Sequence, residues 1–232
     1  MNRVSILVSS CDRLSDCWMP FFHGLRKYWP TCPYPVFFIS NTRGFIHEGF
    51  TSIKTGEDLG WSRNLLLALD QVETPYLLYL QEDYWISERV NGAAIADYVA
   101  LMEENNLSYV RLVALPPPDG DFDGDDRLGI IGDTDGYRAS LQASLWRKDV
   151  LRTLIDPNET PWEFEWNGTE RSRKYRGTFL SVKPRASDPF YYGIRYVCTA
   201  VIRGRWSSEA GEYAKGEGID VDFSQRLGPQ RY

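Results

Sequence analysis

Two adjacent carboxylates follow the most continuously apolar segment of the chain. Residues 76–80 are apolar at every position, and Gln81, Glu82 and Asp83 come directly after them. Carboxylates at the end of a buried strand can hold a divalent cation, which would neutralise a diphosphate group. An acidic turn, with Asp83 capping a following helix, would leave the same pattern. The residues by themselves keep both interpretations open.

Polar residues also follow the first apolar segment, residues 4–8. They are Ser9, Ser10, Cys11, Asp12 and Arg13. Hydroxyl groups, backbone N–H groups and a carboxylate at this point could hold the base and sugar of a nucleotide, although a polar turn before a helix has the same composition. The glycine-rich phosphate-binding patterns of Rossmann dehydrogenases and P-loop NTPases are absent from the sequence, which argues against both classes.

A cation stands at the start of a predicted helix. The segment is Gly60-Trp61-Ser62-Arg63-Asn64, and it precedes the apolar segment that ends in the carboxylates. A positive charge in the first turn opposes the helix dipole. This local conflict favours a use for the Arg63 guanidinium, such as binding an anionic phosphate. An exposed arginine without a ligand is the alternative.

These residues need a scaffold that brings the ends of several strands together. Short apolar or β-branched segments predict strands at residues 4–8, 35–39, 51–54, 76–80 and 109–113. Helical spacing of apolar residues predicts helices near 61–72 and 90–102. Strands that alternate with helices predict an α/β fold with a mostly parallel sheet flanked by helices. In such sheets ligands bind beyond the carboxyl ends of the strands, where the polar residues lie.

The second half of the chain has a less regular pattern. A segment rich in Pro, Gly and Asp covers residues 116–136, and long loops of this kind often bind ligands. After this loop, the pattern predicts strands at 137–145, 178–182 and 196–202 and a helix at 147–154. The polar tail from Ser207 onward has no clear assignment.

Composition narrows the classes of function. The net charge of the 232 residues is −6, whereas a nucleic-acid-binding surface would need a basic surplus. We see no secretion signal and no run near the ~20 apolar residues that cross a bilayer, so we expect a cytoplasmic protein without a transmembrane segment. Peripheral membrane contact through the second half stays open. The cysteines form no CxxC pair and are expected to be free thiols; they are Cys11, Cys17, Cys32 and Cys198.

The order of these features resembles a known family. Residues 60–64, then an apolar strand, then Gln81-Glu82-Asp83 are similar to the GT-A glycosyltransferases of the family 2 type. That family typically has a Gly-x-x-Arg-Asn helix start, a strand, and an Asp-x-Asp-like motif for the metal and the donor diphosphate. Residues 4–10 resemble its first strand and nucleotide-contacting loop, and the resemblance covers roughly residues 1–175. In this chain Gln81 replaces the first carboxylate of the motif.

The resemblance implies a GT-A-type fold with separate donor and acceptor regions. Glu82 and Asp83 would hold Mn²⁺ or Mg²⁺, while the departure at Gln81 leaves metal independence open. We expect a single domain over residues 1–232, in which about 1–114 bind the nucleotide sugar and about 115–232 form an irregular acceptor-binding half. The implied substrate-binding residues are Ser9, Cys11, Asp12, Arg13, Arg63, Asn64 and Gln81.

The resemblance also indicates Glu163 and Glu165 as candidates for a catalytic base. An inverting transfer needs a carboxylate that removes the proton from the acceptor hydroxyl. These side chains share a side only in an extended chain, so in a helix only one can serve. We favour Glu165, which lies nearer to the basic segment 168–173. Trp146 and Trp162 lie in the same region and could stack on sugars, or they could pack in the core.

The leading hypothesis is an inverting glycosyltransferase. It would move a sugar from a nucleoside diphosphate-sugar to a glycan or lipid-linked acceptor in surface polysaccharide biosynthesis. The alternative is a non-catalytic module of the same fold that binds nucleotide sugars or glycans, which the unusual Gln81 motivates. A sugar nucleotidyltransferase would need a glycine-rich basic loop after the first strand, and residues 9–13 contain no glycine. A glycosidase usually carries its two carboxylates on separate elements.

Overall fold

The computed structural model describes residues 3–44, 49–186, 191–197 and 199–228. The strands are β1 (Val4–Ser9), β2 (Val36–Ser40), β3 (Phe50–Lys54), β4 (Tyr76–Gln81), β5 (Tyr109–Arg111), β6 (Gly120–Asp121), β7 (Leu128–Ile130), β8 (Ser144–Arg147), β9 (Phe179–Val182), β10 (Val201–Ile202) and β11 (Arg205–Trp206). The α-helices are α1 (Trp18–Tyr28), α2 (Trp61–Leu69), α3 (Gly92–Glu104), α4 (Lys148–Leu154), α5 (Pro161–Lys174) and α6 (Ser208–Glu217). Short 3-10 helices cover Asp12–Cys17 and Phe223–Gln225.

Nine of the described strands form one sheet, in the order β3-β2-β1-β4-β8-β5-β9-β7-β6. The neighbours β3, β2, β1 and β4 are parallel, and β8 inserts antiparallel between β4 and β5. Within this sheet only β8 and β7 run against the direction of the other strands. The structure therefore confirms an α/β fold with a large, mostly parallel sheet, followed by a less regular second half.

Alternate residues of the central strands enter two different cores. In β4, Leu78 and Leu80 pack with α1 and α3 on one face of the sheet. Leu77 and Tyr79 pack with α2, α4 and α5 on the other face. Successive side chains of a strand point to opposite faces, so a strand between two helical layers is apolar at every position. This burial explains why residues 76–80 form the most apolar segment.

The order in which the chain adds strands to the sheet reverses at β1. The strands β2 and β3 lie on one side of β1, and β4 lies on the other. The carboxyl ends of β1 and β4 are therefore adjacent, with Ser9 paired in register with Gln81. The Glu82 N–H donates to the Ser9 carbonyl oxygen at 3.3 Å. Ligands of open α/β sheets bind at such a reversal of strand order.

The predicted strands of the first half, the strand at 178–182 and the helices at 61–72, 90–102 and 147–154 are confirmed with small shifts of their ends. The strand predicted at 196–202 is mostly wrong, because among its described residues Val201–Ile202 pairs with β11 and Tyr196 forms an isolated bridge with Ile86. Cys198, in the same segment, lies outside the described residues. The structure also contains α1 and α6, which the sequence patterns do not predict. None of the described helices is long and apolar enough to cross a membrane.

The predicted strand at 137–145 is reduced to β8, and residues 137–143 form a loop. Side chains of β5 bind the carbonyl oxygens of this loop: the Arg111 guanidinium donates to Tyr137 O at 3.0 Å, and the Tyr109 hydroxyl donates to Ser140 O at 3.1 Å. The apolar residue Leu141 is buried by tertiary contacts. An apolar segment whose carbonyl groups are satisfied by side chains does not need a strand ladder.

Asp12 ties the loop after β1 to the loop after β2. Its carboxylate accepts the backbone N–H groups of Asn41 (2.8 Å), Thr42 (2.9 Å) and Arg43 (3.0 Å), and also the Thr42 hydroxyl (2.7 Å). The Asp12 N–H donates in return to Asn41 Oδ1 at 2.9 Å. Burial alone would raise the pKa of Asp12, but the hydrogen bonds outweigh it and hold the pKa at about 2. The two loops therefore form one rim at the carboxyl ends of the strands.

We expect Asp12→Ala to lower the free energy of unfolding by about 2 kcal/mol at neutral pH, because hydrogen bonds to a charged group are lost. The pKa of Asp12 is lower in the folded than in the unfolded chain. Its contribution is therefore fully present above the ordinary value of 3.8 and is lost as the pH falls through about 2. Chemical denaturation of the wild type and the variant across this pH range measures both effects.

Asp126→Ala provides the matched control, since Asp126 is exposed and forms no hydrogen bond within the described part of the chain. This variant should unfold like the wild type at every pH. A difference between wild type and Asp12→Ala that stayed constant from neutral pH to pH 2 would contradict the role of the Asp12 charge.

Candidate active site

Two cavities join into one cleft at the carboxyl ends of β1 and β4. The smaller cavity, of about 510 Å³, lies between the loop after β1, the start of α2 and the segment before α5. The larger cavity, of about 900 Å³, extends from the end of β4 to the loop before β8, the first turns of α5 and residues 199–204. Residues that border both cavities include Cys11, Gln81, Glu82 and Trp162. The cleft thus lies where this sheet topology favours a ligand.

The cleft brings together all but three of the predicted site residues. Those that line it are Ser9, Cys11, Arg13, Arg63, Asn64, Gln81, Glu82, Asp83, Trp162 and Glu165. The three that do not are Asp12, Trp146 and Glu163. Asp12 still acts on the site indirectly, since it holds the loop that carries Cys11 and Arg13.

The carboxylates of Glu82 and Asp83 are almost fully buried, with 4% and 9% of each residue exposed. Burial raises the pKa of Glu82 well above its ordinary value, and repulsion from Asp83 adds to this rise. Burial also raises the pKa of Asp83 to about 6, against the opposing effect of a hydrogen bond from Thr199. The Thr199 hydroxyl donates to Asp83 Oδ2, whereas Asp83 Oδ1 is buried without a partner among the described residues. Paired carboxylates in this state favour a bound cation.

Glu165 lies in the wall of the larger cavity. Its Oε1 accepts the Leu141 N–H at 2.8 Å and the Ser140 hydroxyl at 3.0 Å. Its Oε2 accepts no hydrogen bond from any described residue. Burial raises the pKa of Glu165, and the two hydrogen bonds and the charge of Arg111 oppose the rise. One oxygen is therefore fixed to the loop before β8, and the other is free to take a proton.

Glu163 has a different role at the start of α5. The Thr160 hydroxyl accepts the Glu163 N–H at 3.3 Å, while Glu163 Oε2 accepts the Thr160 N–H and the Thr160 hydroxyl, each at 2.8 Å. This reciprocal pattern is a capping box. The hydrogen bonds from Thr160 lower the pKa of Glu163. The carboxylate of Glu163 is thus engaged at the helix end and does not line the cleft.

Solved structures of known proteins share this architecture. S. aureus TarS 1-349 in complex with UDP has a TM-score of 0.55 at 13% identity, over 82% of this chain and 60% of that chain. The mannosyltransferase PcManGT from Pyrobaculum calidifontis, in complex with GDP-Man and Mn²⁺, has a TM-score of 0.53 at 12% identity, over 87% of this chain and 58% of that chain. The chain has a GT-A-like fold.

The likeness confirms the predicted GT-A-like fold. A further structure, TarS 1-349 in complex with UDP-GlcNAc, has a TM-score of 0.52 at 12% identity, over 96% of this chain and 69% of that chain. The chain spans about 60% of the length of the TarS structure with UDP. No family model matches the chain, and no curated protein matches its sequence.

The fit of a divalent cation to this site can be tested on the donor groups of the chain. Within the described part of the chain, no three His, Cys, Asp or Glu side chains converge to hold a metal. Glu82 and Asp83 supply two carboxylates, and Mg²⁺ commonly takes one or two carboxylates together with substrate phosphates and water. The unpaired Oδ1 of Asp83 adds to this fit. The residues suit a cation shared with a phosphate-bearing ligand.

Arg226 is a site residue that the sequence patterns do not indicate. It lines the larger cavity, and its Nε and Nη2 donate to the two Asp16 carboxylate oxygens at 2.6 and 2.7 Å. The Arg226 Nη2 also donates to the Arg13 carbonyl oxygen at 3.0 Å. The charge of Arg226 partly opposes the rise in the pKa of Glu82 and Asp83. Since Arg226 and Asp16 are 210 positions apart, no local pattern could reveal their contact.

The two predicted sugar-stacking tryptophans have different environments. Trp146 is fully buried, its ring centroid is 4.2 Å from that of Tyr109, and its Nε1–H donates to Ser144 Oγ at 3.0 Å. The prediction that Trp146 stacks on a sugar is wrong, because neither face of its ring can be reached. Trp162 is exposed at the mouth of the cleft.

The start of α2 is held by a network around Asp58. Gly60, the residue before the helix, has a φ of 91°, a left-handed conformation that strains residues with a side chain. Asp58 Oδ1 accepts the Gly60 N–H at 3.1 Å and the Asn64 amide at 2.9 Å. The Arg63 guanidinium binds the oxygen atoms of residues 157–158 at the edge of the smaller cavity. Asn64 therefore orders the helix start, and Arg63 joins it to the segment before α5.

We expect Thr160→Ala to lower the free energy of unfolding by about 1 kcal/mol, because α5 loses its N-cap. Thr153→Ala is the matched control, since the Thr153 hydroxyl donates to the Asp149 carbonyl oxygen within α4 and caps no helix start. Urea denaturation of both variants gives the two values. Equal stability of Thr160→Ala and the wild type would contradict the capping role of Thr160 and Glu163.

Proposed function

We propose that this protein is an inverting glycosyltransferase that uses a nucleoside diphosphate-sugar as donor. The observation that carries the proposal is the composition of one cavity in a GT-A-like fold. The buried carboxylates of Glu82 and Asp83 and the half-free carboxylate of Glu165 all line this cavity, at the carboxyl ends of parallel strands. The first group suits a phosphate-bound cation, and the second suits proton transfer.

In this proposal the donor nucleotide enters the smaller cavity. Ser9 and Cys11 line it at the end of β1, and Arg13 and Arg63 provide positive charge at its edge. Arg13 also pairs with Asp58, and Arg63 donates to the oxygen atoms of residues 157–158, so phosphate oxygens would bind to the remaining N–H groups of each guanidinium. The diphosphate then lies near Gln81, Glu82 and Asp83, where a cation held by the two carboxylates would neutralise the departing nucleotide. The proposal assigns donor binding mainly to the region before residue 115 and acceptor binding to the later region, although residues 157–162 also border the donor cavity.

Glu165 acts as the base toward the acceptor. Its raised pKa makes it a better proton acceptor than an ordinary glutamate, which favours general base catalysis near neutral pH. As the acceptor oxygen bonds to the anomeric carbon, the bond from that carbon to the diphosphate oxygen breaks. The proton of the acceptor hydroxyl passes to Glu165 Oε2, and the nucleoside diphosphate leaves with the electron pair of the broken bond. Attack from the side opposite the diphosphate inverts the anomeric centre.

The ligands of the similar structures suggest which donors to try first. TarS is in complex with UDP and UDP-GlcNAc, and PcManGT is in complex with GDP-Man. A glycan or lipid-linked acceptor and a place in surface polysaccharide biosynthesis are part of the proposal.

A second candidate function is a binding module without catalysis. Gln81 favours it, because an amide at the first position of the acidic motif leaves one carboxylate fewer for a metal.

We expect Glu165→Gln to reduce donor turnover by about 100-fold or more, because general base catalysis is lost. Nucleotide affinity should stay within about twofold, since Glu165 lies outside the smaller cavity. Nucleotide release from UDP-GlcNAc and GDP-Man, on a panel of glycan acceptors, measures turnover, and calorimetry measures affinity. Glu163→Gln is the matched control and should keep normal turnover, since Glu163 does not line the cleft.

Near-normal turnover of Glu165→Gln would show that another group is the base. If the wild type binds UDP or GDP tightly but turns over no donor on any acceptor, the binding module is the correct function. If it binds neither nucleotide, the proposed donor site is wrong.

We expect UDP or GDP to raise the melting temperature, and to raise it further with Mn²⁺ than with EDTA, since ligands that bind only the native state stabilise it. Asp83→Asn should remove the part of the rise in melting temperature that depends on Mn²⁺ and keep the part that does not, because the variant lacks one carboxylate charge. Asp149→Asn, at the exposed start of α4, is the control and should behave like the wild type. Equal shifts with Mn²⁺ and with EDTA in the wild type would contradict the assignment of Glu82 and Asp83 to a cation.

A further inference from the structure

Exposed aromatic side chains gather at the mouth of the larger cavity. Trp162 and Trp166 of α5 are 68% and 61% exposed, and Tyr137 is 37% exposed. Trp162 and Tyr137 line the cavity, and Trp166 packs on Tyr137 with ring centroids 5.4 Å apart. Together these residues form what we call the aromatic shelf. Large exposed apolar surfaces of this kind usually mark a binding site.

The aromatic shelf and the proposed base lie on one side of the same helix. Glu165 and Trp166 follow Trp162 by three and four residues, and residues at these two spacings are neighbours of Trp162 on the helix surface. Along the helix, Trp162 and Trp166 are about 6 Å apart, given a rise of 1.5 Å per residue. This separation is similar to the size of one pyranose ring. A ligand with a hydroxyl group at Glu165 would therefore extend over the shelf.

The polar groups of the shelf suit hydroxyl-rich ligands. Neither indole N–H of Trp162 or Trp166 has a hydrogen-bond partner within the described residues. A ring with a free N–H offers an apolar face and a donor at its edge, and a pyranose offers C–H groups on its face and hydroxyl groups at its edge. The match favours a sugar ring over a purely apolar group.

The charges beside the shelf favour a ligand without negative charge. Glu163 follows Trp162 in the chain, and Asp133 and Asp135 lie in the loop that leads to Tyr137. The two nearest cations in the sequence, Arg138 and Arg171, form ion pairs with Asp133 and Glu159. An anionic bilayer surface attracts basic segments, and this surface together with a net charge of −6 would be repelled from it.

We infer that the aromatic shelf binds a neutral oligosaccharide acceptor, with one sugar unit at Glu165 and the next unit stacked on Trp162 and Trp166. The acceptor is then a glycan of at least two units, rather than a monosaccharide or a sugar at a membrane surface. This inference rests on the proposed function. It adds the class of acceptor and the part of the protein that selects its length.

The test measures the binding of neutral gluco-, manno- and N-acetylglucosamine oligosaccharides of one to four units, by tryptophan fluorescence and calorimetry. The wild type should bind at least one series, with affinity that rises by about tenfold from one unit to two, equivalent to about 1.4 kcal/mol. Trp166→Ala should lose this gain and keep the affinity for the single unit. Trp166→Phe should restore part of the gain, because it keeps an aromatic face.

Met19→Ala is the matched control, since Met19 is an exposed apolar residue of α1 that does not line the cleft. This variant should bind every oligosaccharide like the wild type. UDP and GDP binding is measured in parallel for each variant, and Trp166→Ala should keep it unchanged. If the wild type binds neither UDP nor GDP, the proposed function is contradicted. The oligosaccharide measurements can still be interpreted in that case.

Two outcomes would overturn the inference. In the first, no series shows affinity that depends on length, or Trp166→Ala keeps the full gain. In the second, vesicles of phosphatidylglycerol and phosphatidylcholine retain the wild type in sedimentation but not Trp166→Ala, which would make the shelf a membrane contact.

Discussion

The burial of two adjacent carboxylates at the end of β4 is the constraint on which the rest of the site depends. A charge out of water costs several kcal/mol unless other groups compensate for it. Compensation comes from distant parts of the chain: the Thr199 hydroxyl binds Asp83, and Arg226 brings a positive charge nearby. The last part of the chain must therefore return to the loop after β1. The ion pair between Arg226 and Asp16 holds it there.

The geometry of α5 gives its side chains different positions and different partners. Because it begins with a capping box, Glu163 is fixed at the helix end, and Glu165 is turned toward the loop before β8. The bond to Leu141 then fixes both the carboxylate and the loop that forms the cavity wall. Arg63 borders only the smaller cavity, Arg13 and the exposed ring of Trp162 border both cavities, and the exposed ring of Trp166 lies beside them. In the proposed function, this arrangement would serve separate donor and acceptor regions.

Much of the fold is predictable because its causes are local. A strand between two helical layers is apolar at every position, and residues 4–8 and 76–80 show this pattern directly. The sequence pattern predicts a strand through residues 137–143, and Ala139, Leu141 and Ala143 are buried as in a strand. The carbonyl oxygens of Tyr137 and Ser140 are bound instead by the side chains of Arg111 and Tyr109. The prediction that Trp146 stacks on a sugar failed for a similar reason. Its place in the sequence suggests an acceptor pocket, but β8 lies in the centre of the sheet, and this position buries the ring.

The sequence by itself determined the α/β alternation and the position of Gln81-Glu82-Asp83 at the carboxyl end of a buried strand, since both follow from the periodicity of nearby residues. The tertiary structure alone decided that Glu165 and not Glu163 lines the cleft, that Arg226 meets Asp16 and that Trp162 and Trp166 stay exposed beside the cavity. These features depend on where a helix face points and on which distant segments meet. Such contacts arise from the packing of the whole chain, and local sequence patterns contain no record of them.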